Sequence, residues 1–86
     1  MAAREYKFSK HAETRLRARG ITYAQIEEVL NNPQKVISQS ECVTVYQGKV
    51  TSDGILHLLR IFINTCKDPN LIITAYKTSK MEKYES

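Results

Sequence analysis

The segment TYAQIEEVLNNPQK, residues 22–35, contains the point at which the chain changes from helical to extended structure. Thr22 and Gln25 have the spacing of a capping box, in which the two residues satisfy each other's free backbone N–H groups and a helix begins. Apolar residues then recur at helical spacing, at Ile26, Val29 and Leu30. The sequence NNP at 31–33 ends this helix, because proline cannot continue it.

The residues on either side of this segment complete the order of elements. Before it, Ser9 can cap a helix from about Lys10 to Arg19, and Gly20 can end that helix. After it, the apolar period falls to two and β-branched residues become frequent, which is typical of strands. Strands are predicted at about 35–39, 42–50, 55–64 and 70–77. Short turns join them, so the order ααββββ predicts one α+β domain, residues 1–86, with two N-terminal helices packed on a four-stranded antiparallel sheet.

The charge of the chain indicates a class of partner. The 86 residues carry a formal net charge of +4, and the excess of positive charge lies towards the two ends of the chain. A basic surface favours a polyanionic partner such as RNA. The longest apolar run, ILHLLRIFI, is too short to span a bilayer, and the first residues lack the apolar core of a signal peptide. The sequence therefore predicts a cytoplasmic protein that does not contact a membrane.

Several kinds of site are missing from the sequence. Cys42 and Cys66 have no metal-binding spacing with His11 or His57, and in a reducing compartment two lone cysteines are expected to be buried thiols. There is no phosphate-binding glycine loop, and no pair of carboxylates lies in an apolar setting. No cofactor and no metal ion are predicted, so any cleavage of nucleic acid is expected to proceed without a metal.

The alternation of side chains along the last two strands predicts which of them share a face of the sheet. Aliphatic residues at every second position are expected under the helices: Leu59, Ile61, Ile63, Leu71, Ile73 and Ala75. Arg60, Thr74 and Tyr76 then share the opposite face. Arg60 interrupts an apolar strand, and a charge in such a place must be paired or must line a cleft. In the alternative interpretation Arg60 has only a structural role, and a carboxylate such as Glu41 pairs with it across the sheet.

Polar side chains also follow one another along the first predicted helix. His11, Arg15 and Arg19 are spaced four apart, so they form one ridge, which we call the helix ridge. A histidine beside arginines is less readily protonated and can act as a general base, and the arginines can stabilise the charge of a phosphodiester. The alternative is that His11 bonds to a backbone carbonyl and that the arginines form a solvated helix edge.

The carboxy-terminal tail, residues 77–86, is basic and carries one aromatic ring. Its relevant side chains are those of Lys77, Lys80, Lys83 and Tyr84. Lysines can contact phosphates and a tyrosine ring can stack on a base, so this composition suits RNA binding. The alternative is a frayed, solvated tail without a partner.

Three motifs resemble a family of small bacterial domains of unknown function that is grouped with the RelE-like and barnase-like ribonuclease toxins. The motifs are HAETRLRARGI at 11–21, LLRIFIN at 58–64 and LIITAYKTSKMEKY at 71–84. The resemblance implies two helices on a four-stranded antiparallel sheet, a RelE-like fold, and RNA cleavage without a metal ion. This activity would depend on the residues of the site, because a fold alone does not determine what a protein does.

The resemblance also implies a role for individual residues. In metal-independent cleavage the RNA 2′-hydroxyl attacks its neighbouring phosphorus, and cations stabilise the resulting phosphorane. His11 is expected to act as base or acid, Arg15 and Arg60 as phosphate clamps, and Tyr76 or Tyr84 as the second proton-transfer or stacking group. Further contacts with RNA are expected from Arg19, Thr74, Lys77, Lys80 and Tyr84. If the first helix covers one face and Arg60 lies on the other, His11 and Arg60 meet only around the edge of the sheet.

Two other functions fit the same residues. The protein could be a non-catalytic module that binds RNA or the ribosome with the same basic surface. It could also be an interaction domain whose sheet edge docks on an antitoxin-like protein by strand addition. Substitution of His11 separates the enzyme from the binding module, because only the enzyme would lose cleavage while binding persists.

Overall fold

The structure, a computed structural model, describes residues 6–80, which form two helices and five strands. The elements are β1 (Tyr6–Phe8), α1 (Lys10–Ala18), α2 (Tyr23–Asn31), β2 (Lys35–Ser38), β3 (Val43–Ser52), β4 (Ile55–Asn64) and β5 (Asn70–Thr78). The α+β class, the two helices and the last four strands agree with the sequence prediction. None of the described helices is long and apolar enough to cross a membrane.

The sheet has one strand more than predicted and is mixed. Its strands lie in the order β1-β5-β4-β3-β2, and β1 pairs in parallel with β5, with Tyr6 opposite Asn70 and Phe8 opposite Ile72. The other pairs are antiparallel. The prediction of four antiparallel strands was therefore wrong at this edge. A strand of three residues is too short to show a period of two, and its partner is far away in the chain.

The two helices begin at the residues that the sequence indicates. The Ser9 hydroxyl oxygen accepts from the backbone N–H of Ala12 at the start of α1. At the start of α2 both bonds of the capping box are present, each at 3.1 Å, between Thr22 and Gln25. These bonds satisfy backbone N–H groups that have no partner within the helix.

Replacing Thr22 with alanine is expected to lower the free energy of unfolding by about 1 kcal/mol, because one backbone N–H of α2 loses its acceptor. Urea unfolding followed by circular dichroism measures the change. Thr14→Ala is the matched control, since Thr14 lies inside α1 and donates only to the backbone carbonyl of Lys10. An effect of Thr22→Ala no larger than that of the control would contradict a stabilising cap.

The core lies between the helices and one face of the sheet. α1 packs on β5 and α2 packs on β3. The buried residues of this core come from both layers: Ala12, Leu16, Ile21, Ile26, Val29, Leu30, Tyr46, Val50, Leu59, Ile61, Ile63, Ile72 and Ala75. Gly48 lets α2 approach closely, since a Cβ atom there would lie 3.3 Å from both Cγ atoms of Val29.

A bulge in β5 changes one part of the predicted face assignment. Leu59, Ile61 and Ala75 lie under the helices as expected, and Ile61 pairs directly with Ala75. The register then shifts between Phe62 and Ile63, so that Ile63 pairs with Ile72. Ile72 therefore joins Ala75 in the core, and the prediction that Leu71 and Ile73 lie there was wrong. An extra residue in one strand moves the side chains beyond it to the other face.

The two cysteines form a disulfide bond, which the sequence analysis did not predict. Cys42 precedes β3 and Cys66 lies in the turn between β4 and β5, with their Cα atoms 5.1 Å apart. Pairing of β3 with β4 brings the two residues together, because Val43 lies opposite Asn64. The expectation of two separate buried thiols was therefore wrong, and Cys66 is exposed.

Candidate functional site

Three polar side chains form a row across the face of the sheet that is opposite to the helices. Gln47 of β3, Arg60 of β4 and Tyr76 of β5 are direct neighbours in the register of the sheet. Arg60 Nε donates to Gln47 Oε1 at 2.8 Å, and Arg60 Nη1 donates to Tyr76 Oη at 2.6 Å. We call these three residues the sheet row. The prediction that Arg60 and Tyr76 share a face is confirmed, and the row fixes the guanidinium at two of its nitrogens.

Two aromatic rings lie against the guanidinium of Arg60. The rings of Phe62 and Tyr76 are stacked, with centroids 5.9 Å apart and an angle of 30° between their planes. The Cζ atom of Arg60 lies 5.4 Å from the Phe62 centroid and 5.7 Å from the Tyr76 centroid. Both distances allow a cation–π interaction. The cation is therefore held by aromatic surface as well as by hydrogen bonds.

The sheet row lies between buried apolar residues. Gln47 is only 2% exposed, while Arg60 and Tyr76 are half-buried. Val45 and Leu58, on the same face, are 1% and 0% exposed. An electrostatic interaction is stronger in such a partly desolvated setting than in bulk water. An anion that reached Arg60 would therefore be bound more strongly than at an exposed arginine.

The residue opposite Arg60 on β3 is Gln47, so Glu41 does not lie across the sheet from Arg60 as the alternative suggested. Glu41 is exposed and lies in the bend before β3. The sequence did contain a signal for Gln47. Asp53 and Gly54 form a two-residue hairpin turn with positive φ at both positions, and Ser52 pairs with Ile55. Counting outward from this turn places Gln47 opposite Arg60 and Val45 opposite Phe62.

The helix ridge forms a second cluster in the layer of the helices. Arg15 Nε donates to His11 Nε2 at 3.1 Å, one turn apart on α1, and both side chains are exposed. Since Nε2 accepts this bond, the neutral imidazole carries its proton on Nδ1. This contact is with the side chain of Arg15 and not with the backbone carbonyl that the alternative predicted. The cluster combines a basic nitrogen with a cation.

Arg19 and Lys77, both predicted to bind RNA, make bonds that join elements of the fold. Arg19 Nη1 donates to the backbone carbonyl of Ala75 at 2.8 Å. Lys77 Nζ donates to the carbonyl of Gly20 at 3.1 Å and to Ser52 Oγ at 2.9 Å. These bonds join the end of α1 to β5 and to the β3–β4 hairpin. The two cations therefore position α1 on the sheet.

The structure divides the predicted site residues into two groups. His11, Arg15 and Arg19 lie in the helix layer, whereas Arg60 and Tyr76 lie on the opposite face of the sheet. Thr74 shares that face, since it pairs with Phe62. Lys80 is exposed just after β5, with its backbone N–H bonded to Thr78 Oγ1. Tyr84, Lys83 and the rest of the predicted tail beyond Lys80 lie outside the described residues.

A cavity of about 280 Å³ lies elsewhere, near the junction of the two helices. Its lining residues are Glu13, Leu16, Arg17, Ile21, Thr22 and Tyr23. None of the predicted site residues lines it. The sheet row and the helix ridge are therefore separate from this cavity.

Two helices on one face of a mixed five-stranded sheet, with a cationic and aromatic row on the other face, define a small α+β domain. The family model for Domain of unknown function (DUF4258) matches residues 8–77, and the chain belongs to this family. No curated protein and no solved structure gives a significant match.

Proposed function

We propose that the protein is an endoribonuclease of the RelE-like type that binds RNA at the sheet row and cleaves it without a metal ion. The observation that carries the proposal is the contact of Arg60 with Tyr76. A guanidinium is bonded to a phenol at 2.6 Å, with two aromatic rings against it, in a partly desolvated position. This arrangement offers a cation for a phosphate, a hydroxyl for proton transfer and a ring for a base.

Two residues of the sheet row, Arg60 and Tyr76, have a role in the proposed reaction. The RNA 2′ oxygen forms a bond to the neighbouring phosphorus while the bond from phosphorus to the 5′ oxygen breaks. Arg60 stabilises the charge of the phosphorane, and Tyr76 gives a proton to the leaving 5′ oxygen. The 2′ proton passes to a general base, and the products are a 2′,3′-cyclic phosphate and a 5′-hydroxyl. Solvent then restores the proton of Tyr76.

The helix ridge supplies a further contact with the RNA in this proposal. α1 packs on β5, so a strand of RNA that passes from the sheet row around β5 reaches His11 and Arg15. In the neutral ring the Nε2 lone pair accepts from Arg15, and it can take the 2′ proton once Arg15 turns to a phosphate, which makes His11 the candidate base. Loss of cleavage with retained binding in His11→Ala would assign the base to His11. Retained cleavage would place the base on the sheet face.

Cleavage of total cellular RNA by the purified protein in EDTA tests the proposal. The expected products carry 2′,3′-cyclic phosphate ends. Arg17→Gln is a matched control for substitutions of Arg60, because Arg17 is exposed on α1 and belongs to neither the helix ridge nor the sheet row. RNA that stays intact with the wild-type protein, both free and on ribosomes, would overturn the catalytic proposal.

Replacing Tyr76 with phenylalanine is expected to lower the cleavage rate about a hundredfold, because the leaving oxygen loses its proton donor while the ring is kept. RNA affinity should change little, since Arg60 and the stacked rings remain. Single-turnover cleavage and fluorescence anisotropy measure the two quantities. Equal losses of affinity and rate would indicate that the hydroxyl orients Arg60 rather than transferring a proton.

The second candidate is a module that binds RNA or the ribosome without cleaving it. The separation of the helix ridge from the sheet row favours it, because the two clusters lie on opposite sides of the sheet. RNA binding that depends on Arg60, without cleavage by the wild-type protein, would select this function.

An antitoxin-like protein partner fits the short edge strand β2, which carries Val36 at 52% exposure.

A further inference from the structure

We propose that the cavity at the junction of the two helices is a binding site for a free α-amino acid with an apolar or aromatic side chain. The cavity has a volume of about 280 Å³, just below the usual range of ligand pockets, so it fits a small molecule. Its lining combines an acid, a base and apolar surface, which match the three parts of such a ligand. The inference goes beyond the proposed function and does not depend on it.

The floor of the cavity is formed by the turn that ends α1. The backbone N–H of Gly20 donates to the carbonyl of Arg17 at 3.3 Å. The backbone N–H of Ile21 donates to the carbonyl of Leu16 at 2.9 Å. These bonds, with a φ of 66° at Gly20, form a Schellman motif, which commonly brings two apolar side chains together. Those side chains are here Leu16 and Ile21, which are 3% and 6% exposed, so the floor is apolar and is fixed before a ligand binds.

Tyr23 forms an aromatic wall of the cavity. It is 57% exposed, which makes it one of the exposed large apolar side chains of the described residues. The ring of Phe8 packs on the ring of Tyr23, with centroids 5.0 Å apart, and supports it. An apolar side chain that contacts the floor and this ring removes apolar surface from water, and an aromatic one can also stack on the ring.

Glu13 and Arg17 place opposite charges beside the apolar floor. They are one turn apart on α1, so their side chains are neighbours on one side of the helix. Within residues 6–80, however, neither side chain makes an ion pair or a hydrogen bond. A ligand that carries an ammonium and a carboxylate on one carbon atom can contact both of them. Its ammonium lies against Glu13, and its carboxylate accepts from the guanidinium of Arg17.

The two opposite charges also discriminate against ligands that carry a single charge. A simple carboxylate is attracted by Arg17 but lies close to the like charge of Glu13, and a simple amine has the reverse problem. Only a zwitterion satisfies both residues. The site is therefore expected to prefer an amino acid to either of its singly charged analogues.

Titration of the wild-type protein with L-phenylalanine, followed by the backbone amide signals in NMR spectra, tests the site. The signals of the cavity residues are expected to shift with a Kd of the order of 1 mM, a typical affinity for a ligand of this size. Three related compounds each lack one part of the ligand. Phenylpropionate lacks the ammonium, phenethylamine lacks the carboxylate and glycine lacks the side chain. Each is expected to bind about tenfold more weakly, because one charged hydrogen bond or the apolar contact is lost.

Two substitutions connect each charge of the ligand to one residue. Arg17→Gln is expected to weaken the binding of L-phenylalanine about tenfold without weakening that of phenethylamine, which has no carboxylate. Glu13→Gln is expected to weaken L-phenylalanine to a similar extent without weakening phenylpropionate, which has no ammonium. Lys10→Gln and Glu28→Gln are the matched controls, because they remove exposed charges that do not line the cavity. Both should bind L-phenylalanine like the wild-type protein.

Several results would overturn this assignment. Cavity signals that do not shift at concentrations of L-phenylalanine far above a millimolar would show that the cavity does not bind it. Equal affinity for phenylpropionate or for phenethylamine would show a site for an anion or for an amine instead of a zwitterion. Wild-type affinity in both Arg17→Gln and Glu13→Gln would place the ligand elsewhere. The titration contains no RNA, so its outcome is independent of the proposed function.

Discussion

Arg60→Gln is expected to lower the proposed metal-independent RNA cleavage about a thousandfold, the upper range for loss of a single group that stabilises transition-state charge. Arg60 is the one cation of the sheet row, and its neighbours Gln47 and Tyr76 are neutral. Glutamine keeps a polar side chain of moderate size on this face, so the loss of charge is the main change. Single-turnover cleavage of a labelled RNA in EDTA measures the effect.

The control for this variant is Arg17→Gln, which removes the same charge from an exposed position on α1. It should retain the wild-type rate within a factor of about two, because an exposed charge away from the bound phosphate is largely screened by salt. Similar losses in both variants would mean that net charge, and not the sheet row, determines cleavage. Unfolding of Arg60→Gln by urea should show a stable protein, so that the loss of rate can be assigned to the site.

Reduction of the disulfide bond is expected to lower the free energy of unfolding by about 3.5 kcal/mol. Cys42 and Cys66 are 24 residues apart, and the chain-entropy relation gives this value for a closed loop of that length. The bond restricts the unfolded chain, whereas the folded strands are already paired at this end of β3 and β4. Urea unfolding with and without dithiothreitol measures the difference.

The double variant Cys42→Ser with Cys66→Ser is the control, and its stability should be the same with and without the reductant. A wild-type protein that is equally stable in both conditions would contradict the pairing of Cys42 with Cys66.

The disulfide bond also concerns the cellular location of the protein. Disulfides persist in oxidising compartments and are rare in the cytosol, so the pairing and the expected cytoplasmic location favour different environments.

The sequence predicted those parts of the fold that depend on local rules. The capping box at Thr22 and the cap at Ser9 define where α2 and α1 begin, because each satisfies backbone groups within one turn. β1 could not be predicted in this way. Its three residues are stabilised by pairing with β5, and a parallel pair between distant segments leaves no local pattern. The bulge between β4 and β5 is likewise a property of two strands together.

The candidate site was predicted in part for the same physical reason. Alternation along a strand placed Arg60 and Tyr76 on one face, and a spacing of four placed His11 beside Arg15. The bonds of Arg19 and Lys77 to backbone carbonyls depend on how α1 packs on the sheet, which alternation does not describe. Gln47 and Phe62 were missed although the hairpin turn fixes their register, because each was considered within its own strand.

The parallel pairing of β1 with β5 determines when the sheet can be completed during synthesis. β1 leaves the ribosome before β5, and its partner begins only at Asn70, so this edge of the sheet closes only after β5 has emerged. α1 packs on the same late strand, and the hydrogen bond from Arg60 to Tyr76 also requires β5. A nascent chain that ends before β5 therefore lacks the completed row. Any contact that depends on the completed row therefore begins only after β5 has emerged.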